Sequence, residues 1–251
     1  LKSQYGDVGS TRRHRWLSSV VYELPFGRGK AYGGSMNRAL NAVVGGWQVS
    51  SIFLWQSGPF LTPYFSDGDP SGTGSGNYEG RAQAPDLLGG GNLAHPTAEQ
   101  WFNVGSFTCP GVPNWTPGHQ CLIGTVADTP DPVTGAGFAP LGRFGNAGKS
   151  KVIGPGTVNL NAGVAKYFNV TERVRIKVEA SFTNAFNHLN LNTPNLAIDS
   201  TNPGLITSAT GANFGGSRTG QVGAKIEFEF PEAALITQIF FGQASTIARL
   251  S

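Results

Sequence analysis

The feature that most restricts this chain is a strict alternation near its C-terminal third. Val174, Ile176, Val178, Ala180 and Phe182 alternate there with Arg175, Lys177, Glu179, Ser181 and Thr183. A period of two puts successive side chains on opposite faces, so the segment reads as a β-strand with one apolar and one polar face. The preceding arm repeats the pattern more softly. Val158, Leu160, Ala162 and Val164 fall on one side and Asn159, Asn161, Gly163 and Ala165 on the other. Residues 169–172 are polar and turn-forming, so 158–186 reads as a β-hairpin.

A later segment alternates in the same way: Val222, Ala224, Ile226, Phe228 and Phe230 against Gln221, Gly223, Lys225, Glu227 and Glu229. Hydrophobicity and charge together suggest a register for the two segments. It opposes Val174 to Phe230, Ile176 to Phe228 and Val178 to Ile226 on the apolar face. On the polar face it opposes Arg175 to Glu229, Lys177 to Glu227 and Glu179 to Lys225. Each opposite-charge pair of this kind contributes about 0.2–1 kcal/mol. A slip of two residues would set Lys177 against Lys225, and a slip of one would turn a whole face over.

Strands are expected at about 13–24, 47–57, 158–167, 173–186 and 219–230, with a possible helical turn over 36–44. In the second of these, Trp47, Val49, Ser51, Phe53 and Trp55 share a face. Trp47 and Trp55 are eight residues apart, which is roughly 26 Å along a strand and nearer 20 Å across a bilayer after tilt. Tryptophans near both ends of an apolar stripe suit the interfacial girdles of a membrane barrel; the other reading is a pair of core tryptophans in a soluble sandwich.

Between these segments the pattern is lost. Residues 60–155 are rich in Gly, Pro, Ser, Asn and Asp, with short strands expected near 101–107 and 144–153. The whole chain has 36 Gly and 16 Pro and is only 13% charged, which disfavours helical bundles. Reading back from Phe230, connection lengths alternate: long at 187–218, short at 168–172, very long at 60–155, moderate at 25–45. Membrane barrels set short turns on the periplasmic side and long loops outside. The expected fold is therefore all-β: an antiparallel meander, part of a large transmembrane β-barrel with long extracellular loops. Residues 1–230 would belong to the barrel, with 231–251 as a tail after its last strand. The chain starts at Leu1 and has a single methionine, Met36, so a fragment or processed product is expected.

Little points to chemistry. The segment 72–76 has phosphate-loop composition but lacks the preceding strand and the following Lys-Ser/Thr. Asp67, Asp69 and Ser71 faintly suggest a calcium loop, yet its twelfth position is Tyr78. His14, His95, His119 and His188 are scattered. No cofactor, resident metal or catalytic group is expected, and a net charge of +3 without a basic-aromatic run gives nucleic-acid binding little support. Cys109 and Cys121 stand in a Pro/Gly-rich stretch. They suit a loop-closing disulfide, with two free thiols, or more remotely a zinc site, as alternatives. Arg15, Arg175, Lys177, Glu179, Lys225, Glu227 and Glu229 would face a barrel lumen. There they would contact a plug or solute, or serve only as a register-fixing charge ladder. Trp47, Trp55, Val174, Ile176, Val178, Phe182, Ile226, Phe228 and Phe230 would face lipid.

HRWLSSVVYELPFGRGK, GGWQVSSIFLWQSG, WFNVGSF, FGNAG, GPG and NVTERVRIKVEASFTNAFNHLN resemble the C-terminal barrel of TonB-dependent outer-membrane receptors. The similarity is to the Oar-like branch, whose members often carry an N-terminal carboxypeptidase-regulatory-like domain. The resemblance implies the outer membrane of a Gram-negative-type cell and a 22-stranded barrel. It also implies a plug domain and coupling to the TonB complex, through sequence absent here, for uptake of a solute that the sequence leaves unknown. It makes the strand ending at Phe230 an assembly signal for the outer-membrane insertion machinery. The chain departs from the family in continuing as PEAALITQIFFGQASTIARLS, a tail apolar enough for a short helix, or read-through. The rival from another class is a soluble extracellular β-sandwich, an adhesion or carbohydrate-binding module, in which Val174, Ile176, Val178, Phe228 and Phe230 would be buried against a second sheet. A porin or secretion channel independent of TonB is a third possibility.

Overall fold

The computed structural model describes residues 6, 9, 11–73, 83–124, 136–139, 142–211, 216–228 and 239–244. In chain order they form β1 (Arg15–Glu23), α1 (Arg38–Val44), β2 (Trp47–Gln56), β3 (Phe60–Leu61) and β4 (Asp86–Leu87). A 3-10 turn at Val104–Ser106 precedes β5 (Phe107–Thr108), β6 (Cys121–Ile123), β7 (Gly137–Ala139) and β8 (Val152–Ile153). The chain continues with β9 (Thr157–Asn169), β10 (Val174–Thr183), β11 (Thr219–Phe228) and β12 (Ile239–Ala244). The five long strands fall where the alternation puts them. β3 to β8 are only two or three residues long, and β5 and β8 adjoin the two places where short strands were expected.

The chain divides into two compact units. One comprises Arg15–Trp55, Thr157–Asn190 and Thr210–Ser251, and is a single six-stranded sheet in the order β1-β2-β9-β10-β11-β12. The order follows the chain, so it is a meander, although about a hundred residues intervene between β2 and β9. The sheet is not closed within the described residues: β1 and β12 are its two edges. β12 corrects the expectation that the tail forms a helix, since Ile239–Ala244 pairs antiparallel with β11. Phe230 therefore does not end the last strand of this sheet, and it lies, with Glu229, outside the described residues.

The register of β10 on β11 is also corrected. Val174 opposes Phe228, Arg175 opposes Glu227, Ile176 opposes Ile226, and Lys177 opposes Lys225. This is the two-residue slip that charge alone argued against, and the faces are preserved because two is the period of the strand. Contacts at the far end of the ladder account for it. Phe182 opposes Gly220, where a Cβ would stand 2.8 Å from the phenyl ring, so the glycine leaves room for the aromatic. Thr183 and Thr219 share a 2.5 Å hydroxyl bond. Beyond them Asn184 donates to Gly216 O at 2.5 Å and Arg218 N–H donates to Asn187 Oδ1 at 3.2 Å. These bonds fix where the strands meet, and the charged rows adapt along each strand.

The other unit comprises Leu1–His14, Gln56–Gly156 and Leu191–Ala209. These are the stretches expected as long loops, and they are more than loops. Phe65, Phe102, Phe107, Val112, Val152 and Ile198 are almost fully buried there and belong to one cluster. Phe65 meets Trp115 edge-on at 5.4 Å, and Phe102 meets Phe107 at 5.8 Å. Cys109 and Cys121, both fully buried, are joined as a disulfide. Gly137 lies against it: a Cβ there would fall 2.4 Å from the Trp115 ring and 3.1 Å from Cys109 Sγ. Backbone pairing is mostly turns and isolated bridges such as Tyr64 to Ala197 and Phe65 to Gln83, which explains why no alternation announces this unit.

Two outcomes follow. The double variant Thr183→Cys/Thr219→Cys should cross-link on oxidation, and Thr183→Cys/Gln221→Cys should not, read by mass spectrometry of the linked peptides. Replacing Cys109 and Cys121 by Ala should destabilise the irregular unit by about 2–4 kcal/mol, read as faster proteolysis within 56–156.

Candidate functional site

The six-stranded sheet has two chemically different faces. On one, Arg175 on β10 donates to Glu227 Oε2 on β11 through Nε at 3.0 Å and a terminal nitrogen at 2.7 Å. Lys225 reaches the other oxygen of Glu227 at 3.2 Å. Lys177, though directly opposed to Lys225, is paired along its own strand with Glu179. Each lysine thus has a carboxylate two residues further along the same face, which makes the like-charged opposition tolerable. Tyr167 of β9, the third strand in this row, lies beneath the cations. Its ring centroid is 5.0 Å from the Arg175 guanidinium carbon and 5.9 Å from Lys177 Nζ, and its hydroxyl donates to Gln48 at 3.2 Å. Arg175, Lys177, Glu179, Lys225 and Glu227 are therefore brought together, and Tyr167 and Gln48 join them. The sequence reading missed Tyr167 because it took β9 only as a softer copy of β10.

The opposite face is apolar. Trp47, Trp55, Val174, Ile176, Val178, Phe182, Ile226 and Phe228 belong to it, since they occupy the positions alternate to the charged row. Much of it is open: Trp55 is 43% exposed, Phe182 45% and Val222 62%. Val164, Phe168 and Val178 are more than a third exposed as well. β1 departs from the pattern, because Trp16, Val20 and Tyr22 are exposed on one side and Leu17 and Val21 on the other. One cation interrupts the apolar face. Lys166 opposes Val178, and its ammonium donates to Val43 O at 3.0 Å and to Gly45 O, with the Trp47 ring 5.0 Å away. The break it makes in the β9 alternation is visible in the sequence; its partners in another segment are not.

In the irregular unit the polar groups serve the backbone. Asp86 accepts both terminal nitrogens of Arg143, at 2.9 and 2.7 Å, together with the N–H groups of Gly111 and Asn146 at 3.0 Å each. Burial alone would raise its pKa, but the Arg143 bonds, the two backbone donors and the guanidinium charge outweigh it and hold the carboxyl below its ordinary range. The same bond raises Arg143. Asp199 accepts from Ser66 N, Ser66 Oγ and Asp67 N at 2.7–2.9 Å, clasping the 66–67 turn. Asp67 and Asp69, considered above for calcium, accept from Gln120 and from Ser71 and Gln83. Tyr78 and most of 72–76 lie outside the described residues. Among the described residues no group of three His, Cys, Asp or Glu could hold a metal ion. No helix of the described residues is long and apolar enough to cross a membrane, which leaves crossing by strands untouched.

A comparison with protein families decides what such a sheet belongs to. Residues 1–221 match the model of the outer membrane beta barrel domain. The chain belongs to that family. Neither the curated proteins nor the solved structures include a significant match. Membership places this outer membrane beta barrel domain in the outer membrane, and the family is generally non-enzymatic. The open six-stranded meander is then a stretch of barrel wall, and the antiparallel pairing is what a barrel requires.

Because Asp86 is held below its ordinary range, it contributes stability that is fully present above the unfolded carboxylate value, about 3.9, and is lost as pH falls through the lower folded value. Resistance of the irregular unit to pepsin should therefore fall as the pH drops below about 4, the unfolded carboxylate value. Asp86→Asn should show a flatter decline and a loss of about 1–3 kcal/mol at neutral pH, since the amide offers one acceptor oxygen in place of two and no charge to meet Arg143.

Proposed function

We propose that this chain is a wall segment of a TonB-dependent, Oar-like receptor that takes up a bound solute across the outer membrane, as a transporter and not an enzyme. One observation carries the membrane part of the reading. A single sheet leaves its apolar face open, at Val178, Phe182 and Val222 among others, while its other face holds a paired charge row. A soluble sandwich has no use for an uncovered apolar sheet, since patches of that kind associate or aggregate in water. In a bilayer the same face meets hydrocarbon. Under this reading Trp47, Trp55, Val174, Ile176, Val178, Phe182, Ile226, Phe228 and Phe230 face lipid, and Arg175, Lys177, Glu179, Lys225, Glu227 and Glu229 face the lumen. The transport part rests on the resemblance of NVTERVRIKVEASFTNAFNHLN and the other motifs to receptors of that branch.

In this mechanism the lumen face stays wet and polar against a plug domain, and the compact unit made from the long connections is the extracellular contact for solute. Long segments on a rigid scaffold commonly carry binding. Release of the plug by the TonB complex would open the path, and the insertion machinery would assemble the barrel. The test has two parts. Val178→Arg sets a charge on the open apolar face, at a cost of about 2–4 kcal/mol near the bilayer midplane. It should abolish heat-modifiable migration of the full-length protein, and normal assembly would sink the lipid-facing assignment. Solute uptake by cells making the full-length protein should stop when the TonB complex is inactivated; uptake that continues would leave the wall but remove the coupling.

A further inference from the structure

Helix α1 has no buried residue. Its polar side chain Asn41 turns inward, accepting from Arg28 N–H at 2.7 Å through Oδ1, which also packs against Gly27 and Gly45. Two of its apolar side chains turn outward, Leu40 at 47% exposed and Val43 at 67%, while Val44 is half-buried. In water the opposite arrangement is favoured, because exposed aliphatic groups forgo the free energy of burial. The remaining side chains of this connection are of the kind found at a membrane boundary. Phe26 and Tyr32 form an exposed ring pair at 5.7 Å, and Arg28, Lys30 and Arg38 supply positive charge, with Lys30 paired to Glu23.

The helix is also tied to one particular face of the sheet. Lys166 and Trp47 belong to the apolar face, and both donate to Val43 O, the lysine reaching Gly45 O as well. The C-terminal end of α1 is thereby held where the apolar face begins, at the strand ends joined by the short 170–173 turn. Short turns mark the periplasmic rim of a membrane barrel. A lysine on an apolar face ordinarily extends toward water and headgroups; Lys166, directly opposite Val178, is instead satisfied by carbonyls at the end of α1 and shielded by the Trp47 and Phe168 rings.

We propose that the connection containing α1 is an interfacial anchor, with Leu40 and Val43 inserted into the headgroup–acyl boundary of the periplasmic leaflet beside the barrel wall. The occupant of the exposed helix face is phospholipid. Two features argue for it: the helix face continues the apolar sheet face through Lys166 and Trp47, and the flanking Arg28, Lys30 and Arg38 suit anionic headgroups. The inference rests on the lipid-facing reading of the wall.

The test uses thiol labelling. The two cysteines of this chain are joined to each other, so an introduced cysteine is the one free thiol within it, and any cysteine elsewhere in the full-length protein is first replaced by Ser. The full-length protein is reconstituted in phosphatidylethanolamine–phosphatidylglycerol vesicles with a nitrobenzoxadiazole label at Leu40→Cys, Val43→Cys, Ser35→Cys or Val178→Cys. The quencher is a spin-labelled phospholipid carrying its nitroxide either near the headgroup or near the chain end. Labels at Leu40→Cys and Val43→Cys should be quenched several-fold more than at Ser35→Cys, and more by the shallow nitroxide than by the deep one. The Val178→Cys label should be quenched more by the deep nitroxide. Quenching at Val178→Cys with Val43→Cys no different from Ser35→Cys would overturn the anchor and leave the wall reading standing. No quenching at Val178→Cys would overturn the wall reading, and the anchor with it. Adding Lys166→Met should lower quenching at Val43→Cys without changing that at Val178→Cys; equal quenching with and without it would show that the lysine does not hold the helix in place.

Discussion

A chain that spans an outer membrane must satisfy its backbone hydrogen bonds between strands, because hydrocarbon supplies neither donors nor acceptors. The rest of this structure depends on that constraint. It requires long, regular antiparallel neighbours, and β2, β9, β10 and β11 are the longest strands among the described residues. It also leaves the side chains free to differ by face, since pairing occupies only the backbone. One face can then be uniformly apolar and the other uniformly polar without any cost to the ladder.

Charge plays a secondary part in this wall. Opposite charges on β10 and β11 could meet in three rows in one register, yet the structure adopts the neighbouring one and opposes Lys177 to Lys225. Surface ion pairs contribute a fraction of a kcal/mol each, and the carboxylates of Glu179 and Glu227 can serve lysines along the strand as well as across it. Shape and hydrogen bonding at the other end are less forgiving. The Phe182 ring needs the vacancy at Gly220, and the Asn184 and Asn187 side chains bind particular backbone groups of the next connection. Steric fit and specific bonds therefore set the register, and the ions rearrange within it.

The irregular unit solves a different problem. With strands of only two or three residues it has little ladder to rely on, and substitutes a buried aromatic cluster, one disulfide and carboxylates that gather backbone donors. Asp86 and Asp199 each hold together segments distant in sequence, 57 residues apart for Asp86 and Arg143 and 133 for Ser66 and Asp199. Such bonds replace secondary structure where glycine and proline prevent it.

Much of the wall was legible because a period of two has one physical meaning. The places of β1, β2, β9, β10 and β11 and the two sets of side chains on β10 and β11 follow from alternation, whereas β1 exposes apolar side chains on both of its sides. The exact opposition of β10 and β11, the pairing of β12 and the partners of Lys166 were decided only by tertiary structure. Each depends on contacts between residues far apart in the chain, and a local pattern carries no record of them. The same reason hid the core of the irregular unit. Phe65, Phe102, Phe107 and Ile198 lie in stretches without period, and nothing in their spacing says that they meet.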